Sequence, residues 1–374
     1  MAQGAPQQAG RGVGGWGVAA SVLASLALLL GCTPGAATSP AATAPTTVAA
    51  SAPTTPTTAP TPVHIRVAYA TPSGGFAAPW MAKEAGLFER YGLDVELTYI
   101  ASGPTLLQSM LSGEIQFGEL AAPASMNAYV EGGDVVWLTG TVNRPVLLVV
   151  ARPEIRSMQD LRGRAVGVTR IGTTTHIFMK LALRSAGLDP EHDVQVLQTG
   201  GTPETVAALQ SGGIYAGVGG PPSHLRALEA GMHVLADLAD LGIAWPFGGS
   251  ITTRRFIAEQ PETVRNYLKA YVEGVHLLRT DRERAVQVIA QYTNVAPAIA
   301  EQTWELFRDR YTWPPYPDSE AMKTVVEEDL ALSNPRARDI PPEAFFDDRF
   351  LRELEASGFI QQVAARSRAP GGSQ

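Results

Sequence analysis

Small hydroxyl and glycine side chains gather in two loops of this 374-residue chain, Thr71-Pro72-Ser73-Gly74-Gly75-Phe76 and Arg170-Ile171-Gly172-Thr173-Thr174-Thr175. Such residues perform no covalent chemistry unaided. Beside free backbone N–H groups they form cups of hydrogen-bond donors that can hold an oxyanion or a polar heterocycle. Ser and Thr are also favoured simply as helix N-caps, so the loops admit a structural reading too. The candidate contacts here are Ser73, Gly74, Gly75 and Phe76 in the first loop and Thr173, Thr174 and Thr175 in the second. A second pair of short segments, Ala121-Ala122-Pro123 and Gly220-Pro221-Pro222, adds Ala122, Gly219 and Gly220. Glu119 stands just before the first of these, where a carboxylate could accept bonds from an amine. Aromatic side chains that could wall a small ligand include Trp80 and Trp245, with Phe247, Trp313 and Tyr316 in neighbouring segments.

Signatures of bond-making chemistry are poor. Gly217-Val218-Gly219-Gly220-Pro221-Pro222 starts like a dinucleotide fingerprint, but proline replaces the third glycine, and neither a phosphate-loop lysine motif nor G-x-S-x-G occurs. The six histidines have no metal-ligand spacing, so no metal and no cofactor is expected. With 29 basic against 36 acidic side chains, the chain has no basic excess for nucleic acid or anionic lipid.

One cysteine, Cys32, excludes an internal disulfide and needs another explanation. Arg11 precedes an apolar run from Val18 to Leu30, too short to span a bilayer comfortably, which ends in Leu29-Leu30-Gly31-Cys32. This is the form of a bacterial lipoprotein signal over residues 1–31, with acyl chains on Cys32 for membrane anchoring. Thr33 to Pro62 holds only Thr, Pro, Ala, Ser, Gly and Val. Residues 32–62 therefore read as a lipidated tether unable to bury a core, placing the body outside the cytoplasmic membrane, in a periplasm or at the cell surface.

The elements that must position these loops are written twice. At a constant separation of 99, Val67-Ala68-Tyr69 matches Val166-Gly167-Val168, and Asp94-Val95-Glu96-Leu97 matches Asp193-Val194-Gln195-Val196. Pro104, Gly113, Ile115, Gly118, Pro123, Gly132 and Val135 likewise match Pro203, Gly212, Ile214, Gly217, Pro222, Gly231 and Val234. Each copy reads as strand, loop, helix, strand, Pro-started helix, strand, helix, which predicts a sheet of mostly parallel strands flanked by helices. After the copies, Val264, Tyr267, Leu268, Tyr271, Val272, Val275 and Leu278 mark one face of a long helix from Pro261. Further helices are expected over Arg282–Tyr292, Pro297–Tyr311, Asp318–Ser333 and Phe350–Ala356, covering the first copy. The expected fold is α/β with two lobes, the first made of residues 63–150 and 245–374 and the second of residues 151–244.

Ala82-x-x-x-Gly86-Leu87-Phe88-x-x-x-Gly92-Leu93-Asp94-Val95, the block Gly103 to Gly113, Leu161-Arg162-Gly163 before Val166-Gly167-Val168, and Ala186-Gly187-Leu188-Asp189-Pro190 carry a family resemblance. From Val63 to about Phe359 the chain resembles the SsuA/THI5-like (NMT1) solute-binding proteins, which serve ABC importers for nitrate, sulfonates, taurine or pyrimidine precursors of thiamine. The resemblance implies a periplasmic-binding-protein fold of type II, crossovers near Val149–Pro153 and Gly242–Thr253, and hinge closure on a ligand. It also implies delivery of that ligand to a permease and ATPase, with the binder a monomer and not an enzyme. Where family members often carry Asp-Phe-Gly, this chain has Gln116-Phe117-Gly118. The fungal pyrimidine synthases of the same family are enzymes with a Cys-rich motif that this chain lacks. Presentation of a solute to a sensor is a further alternative.

Overall fold

The computed structural model describes residues 61–366. The expected signal peptide, the lipidation at Cys32 and all but the last two residues of the tether lie outside the described residues.

Two five-stranded mixed sheets form the body. The first contains β1 (Val63–Tyr69), β2 (Leu93–Tyr99), β3 (Phe117–Leu120) and β4 (Val136–Trp137). The second contains β5 (Leu148–Ala151), β6 (Ala165–Val168), β7 (Gln195–Gln198), β8 (Ala216–Gly219) and β9 (His233–Asp237). The first is completed by β10 (Gly249–Thr252), giving the orders β2-β1-β3-β10-β4 and β7-β6-β8-β5-β9. In each sheet β-α-β units pair in parallel, and one crossover strand runs antiparallel to both its neighbours. Four of the five strands in a sheet thus run one way, as right-handed crossovers through helices require.

The 99-residue separation persists in the strand registers. Val67 pairs with Leu97 and with Phe117, and Val166 pairs with Val196 and with Ala216, each position shifted by 99. Gly118 and Gly217 show why glycine recurs in the third strand. A Cβ on Gly118 would lie 2.6 Å from Leu106, and one on Gly217 would lie 2.5 Å from Thr205, so each glycine lets the Pro-started helix rest on the strand. At Gly113 and Gly212 the backbone is left-handed, with φ of 86° and 82°, and ends those helices.

The two crossovers differ slightly from the expected boundary. β5 starts at Leu148 and lies wholly in the second sheet, so Leu148–Val150 pair with strands of the second lobe although the sequence reading assigned them to the first. Before β5 and β10 the crossovers run side by side: Phe247 N–H donates to Val142 O at 2.8 Å, and Trp245 N–H to Asn143 O at 3.0 Å. This short antiparallel pair connects the two lobes and is where the resemblance would place a hinge. The long helix Pro261–Thr280 buries the expected apolar face against the first lobe. The helix from Pro297 stops at Phe307 instead of Tyr311, because the chain turns there and Tyr311 donates its hydroxyl to Gly74 O at 2.7 Å. The segment expected as one helix to Ser333 contains a wider π-helical turn, Val326–Leu330. No helix among the described residues is long and apolar enough to cross a membrane.

Candidate functional site

The carboxyl ends of β1, β3, β6 and β8 face one another across a narrow cleft. This is where an open α/β sheet offers loops and helix N-termini to a ligand. The lining residues are largely repeat mates: Ala70 with Thr169, Gly103 with Thr202, Leu120 with Gly219, Ala121 with Gly220 and Ala124 with Ser223. The walls nevertheless differ in chemistry. The first lobe presents mainly Ala70, Leu120, Ala121, Ala124 and Phe76, with the hydroxyls of Thr71, Ser73 and Ser102 among them and Phe247 stacked on Phe76 at 5.8 Å. The second presents the hydroxyls of Thr169, Thr173, Thr174, Thr175, Thr202 and Ser223. No charged side chain lines the cleft, and no cluster of potential metal ligands exists among the described residues.

Helices Gly103–Leu111, Ala122–Val130, Thr174–Ser185 and Thr202–Ser211 all start at this cleft, and none has a side-chain cap. Their first N–H groups lack intrahelical partners, so the cleft carries backbone donors and the positive ends of four helix dipoles. The N–H of Ala122 is taken by Pro246 O at 3.0 Å, and Pro104, Pro123 and Pro203 carry no N–H, so the helix Thr174–Ser185 offers the fullest set of donors.

The expected contacts separate into three groups. Phe76, Thr173, Thr174, Thr175, Gly219 and Gly220 line the cleft, as does Ser73. Gly74, Gly75, Ala122 and Trp245 sit immediately behind the wall. A Cβ on Gly74 would meet Phe307 at 2.6 Å and one on Gly75 would meet Phe247 at 2.7 Å, so these glycines serve packing of the loop instead of ligand approach. Trp245 is fully buried in the hinge region, edge-on to Phe178 at 4.9 Å, and donates its Nε1–H to Thr174 Oγ1 at 3.2 Å. It orients a wall hydroxyl and does not itself form the wall.

Trp80 and Glu119 lie away from the cleft. Trp80 is fully buried in the first lobe, stacked on Tyr292 at 5.1 Å and edge-on to Tyr69 at 5.0 Å. Glu119 points to the other face of β3, under helix Pro261–Thr280, where it accepts from Tyr271 at 3.1 Å and lies near the Ser250 hydroxyl. Burial pushes its carboxyl well above the ordinary range, outweighing the opposing effect of those two hydroxyls. A carboxyl buried behind the wall and covered by Tyr271 does not reach a ligand in the cleft, cationic or otherwise.

Residues the sequence reading missed include Thr169, Thr202 and Ser223. The repeat offered the signal for all three, since each stands 99 positions after an equally placed small residue of the first copy.

Ser73 also does something the sequence did not suggest. Its hydroxyl donates across the cleft to Pro221 O at 3.0 Å while accepting from Gly75 N–H at 3.3 Å. The bond joins one lobe to the other and therefore exists only when they are closed. Removing it in Ser73→Ala should weaken the closed state by about 1 kcal/mol, or roughly fivefold faster ligand release. Stopped-flow dissociation with an unchanged association rate is the expected reading; an unaltered release rate would show that closure does not depend on this bond.

Two lobes of like topology, joined by paired crossovers and closing on a shared cleft, define the architecture of the periplasmic binding proteins. The sequence profile described as NMT1/THI5 like matches residues 74–285, and the chain belongs to that family. A protein of Brucella abortus named as a binding protein is 28% identical over 252 residues, covering 64% of this chain and 74% of its own length. Among solved structures, the periplasmic aliphatic sulphonate binding protein SsuA of Escherichia coli superposes with a TM-score of 0.58 at 22% identity, over 74% of this chain and 88% of its own. The periplasmic nitrate-binding protein NrtA of Synechocystis gives 0.64 at 15% identity, over 85% of this chain and 94% of its own.

Proposed function

We propose that this chain is the lipid-anchored capture component of an ABC importer, held outside the cytoplasmic membrane, closing its lobes on a small polar organic molecule or an oxyanion and delivering it to a membrane permease and its ATPase. One observation carries the reading: the duplicated loops meet at a single cleft whose second wall is a bank of hydroxyls and helix N-termini, with a hinge behind it. Relatives named as binding proteins support capture over catalysis, and the cleft lining holds no acid–base pair or nucleophile–base pair. The names of SsuA and NrtA support a small solute of this size class.

Calorimetric titration of the full chain in detergent with nitrate, alkanesulfonates and aminopyrimidines tests capture. Saturable binding at one site per chain is expected for at least one class, and its absence throughout the panel would count against the reading. For the anchor, Cys32→Ser should shift the chain from the membrane to the soluble fraction; retention on the membrane would remove lipidation at this residue.

A further inference from the structure

Three hydroxyls of the second wall form a closed triangle. Thr169 Oγ1 lies 3.0 Å from Thr173 Oγ1 and 2.9 Å from Thr175 Oγ1, and the last two are 3.0 Å apart. All three line the cleft and are at least nine-tenths buried. Their repeat mates are Ala70, Gly74 and Phe76, so the triangle belongs to the second lobe alone.

Counting hydrogens decides what the triangle can do. Thr173 donates its hydrogen to Arg170 O at 2.7 Å, the shortest contact in the group. Two hydroxyl hydrogens remain for three oxygen–oxygen contacts. Whichever way Thr169 and Thr175 turn, one pair of oxygens faces lone pair to lone pair at hydrogen-bonding distance. The backbone N–H of Thr169 relieves only Thr175, to which it donates at 3.0 Å. A ligand acceptor placed here would draw a hydrogen out and leave a second contact unbridged. A ligand donor takes none of these hydrogens and instead points one at the lone pairs left facing each other. Beside the triangle, the first N–H groups of helix Thr174–Ser185 offer donors to an acceptor.

We infer that the ligand carries an N–H or O–H donor next to an acceptor, as in a carboxamide, a sulfonamide or an N–H heterocycle with a ring carbonyl, and that Thr169, Thr173 and Thr175 accept from that donor. This rests on the capture reading and narrows it: fully ionised sulfonates and nitrate have the acceptor and lack the donor. The absence of any charged side chain from the lining agrees, since an ion held there would be balanced by helix dipoles only.

Matched pairs test it on the full chain in detergent by calorimetry: methanesulfonamide with methanesulfonate, benzamide with benzoate, and uracil with 1,3-dimethyluracil, a pair equal in charge. The donor-bearing member is expected to bind at least about tenfold more tightly. Equal or tighter binding of the acceptor-only members overturns the inference and leaves capture standing. No binding by any member removes capture of such compounds and the inference with it. For a donor-bearing compound that binds, Thr169→Ala should cost about tenfold and Thr169→Ser should restore affinity. Thr169→Ala without effect, in a chain whose circular dichroism is unchanged, would also overturn the assignment.

Discussion

Gly219→Leu should abolish capture, by roughly 100-fold or more in Kd, while the chain still folds. Gly219 ends β8 at the cleft and is the repeat mate of Leu120, which occupies the matching place on the first wall. A Cβ here finds ordinary contact, its nearest neighbour being Thr202 Cγ2 at 3.6 Å, and the backbone is not left-handed. The added isobutyl group therefore has room at its root but must extend into the space the ligand needs. In the first copy Leu120 is accommodated because Gly103 stands opposite, where the second copy has Thr202. The single variant should lose some stability to that crowding, about 1–3 kcal/mol. The double variant Gly219→Leu, Thr202→Gly rebuilds the first copy's pair and should regain stability without regaining affinity. Calorimetry and thermal melting separate the two effects; full affinity in Gly219→Leu would move the ligand site out of this cleft.

Glu119 should govern stability and its dependence on pH without touching ligand. The side chain is fully buried, its Oε1 has no partner, and Tyr271 in turn contacts Thr141 at 2.5 Å. Glu119→Ala opens a cavity and removes the acceptor of the Tyr271 hydroxyl, which keeps Thr141 as a partner, at a cost of about 2–4 kcal/mol. Glu119→Gln keeps the volume and the acceptor for Tyr271 and should be near neutral or stabilising at pH 7. The pH effect has a definite sign. Burial raises the folded carboxyl well above its unfolded value of about 4.3, so between those two values the folded state holds a proton that the unfolded state has lost. The stabilising contribution is complete below the unfolded value and declines by about 1.4 kcal/mol per pH unit as pH rises towards the folded one. Urea melts at pH 4, 5.5 and 7 should show the Gln variant gaining on the native chain as pH rises. Parallel profiles would mean that Glu119 is ionised in the folded protein.

Much of this molecule is local and therefore legible in the chain. The order of strands and helices, the Pro-started helices after Ser102 and Gly201, and the glycines 113 and 212 that end them follow from short-range pattern and backbone sterics, and duplication doubled the signal. Loop composition alone marked Thr173, Thr174 and Thr175, because hydroxyls before a helix at a strand's carboxyl end face the cleft in any α/β lobe. Trp80 and Trp245 were harder, since an aromatic residue satisfies a core and a pocket equally well.

The two loops of small hydroxyl and glycine residues mark the boundary between what each level determined. The sequence by itself determined that they are equivalent, that each joins a strand to a helix, and that they belong to paired lobes. Tertiary structure alone decided what their atoms do. Ser73 bonds a carbonyl 148 residues away, and Glu119 is covered by a tyrosine 152 residues away. β3 has four residues, too few for alternation to tell the cleft face from the covered one. Which face is covered depends on where the helix Pro261–Thr280 packs, and that is fixed only when both lobes and their crossovers are assembled.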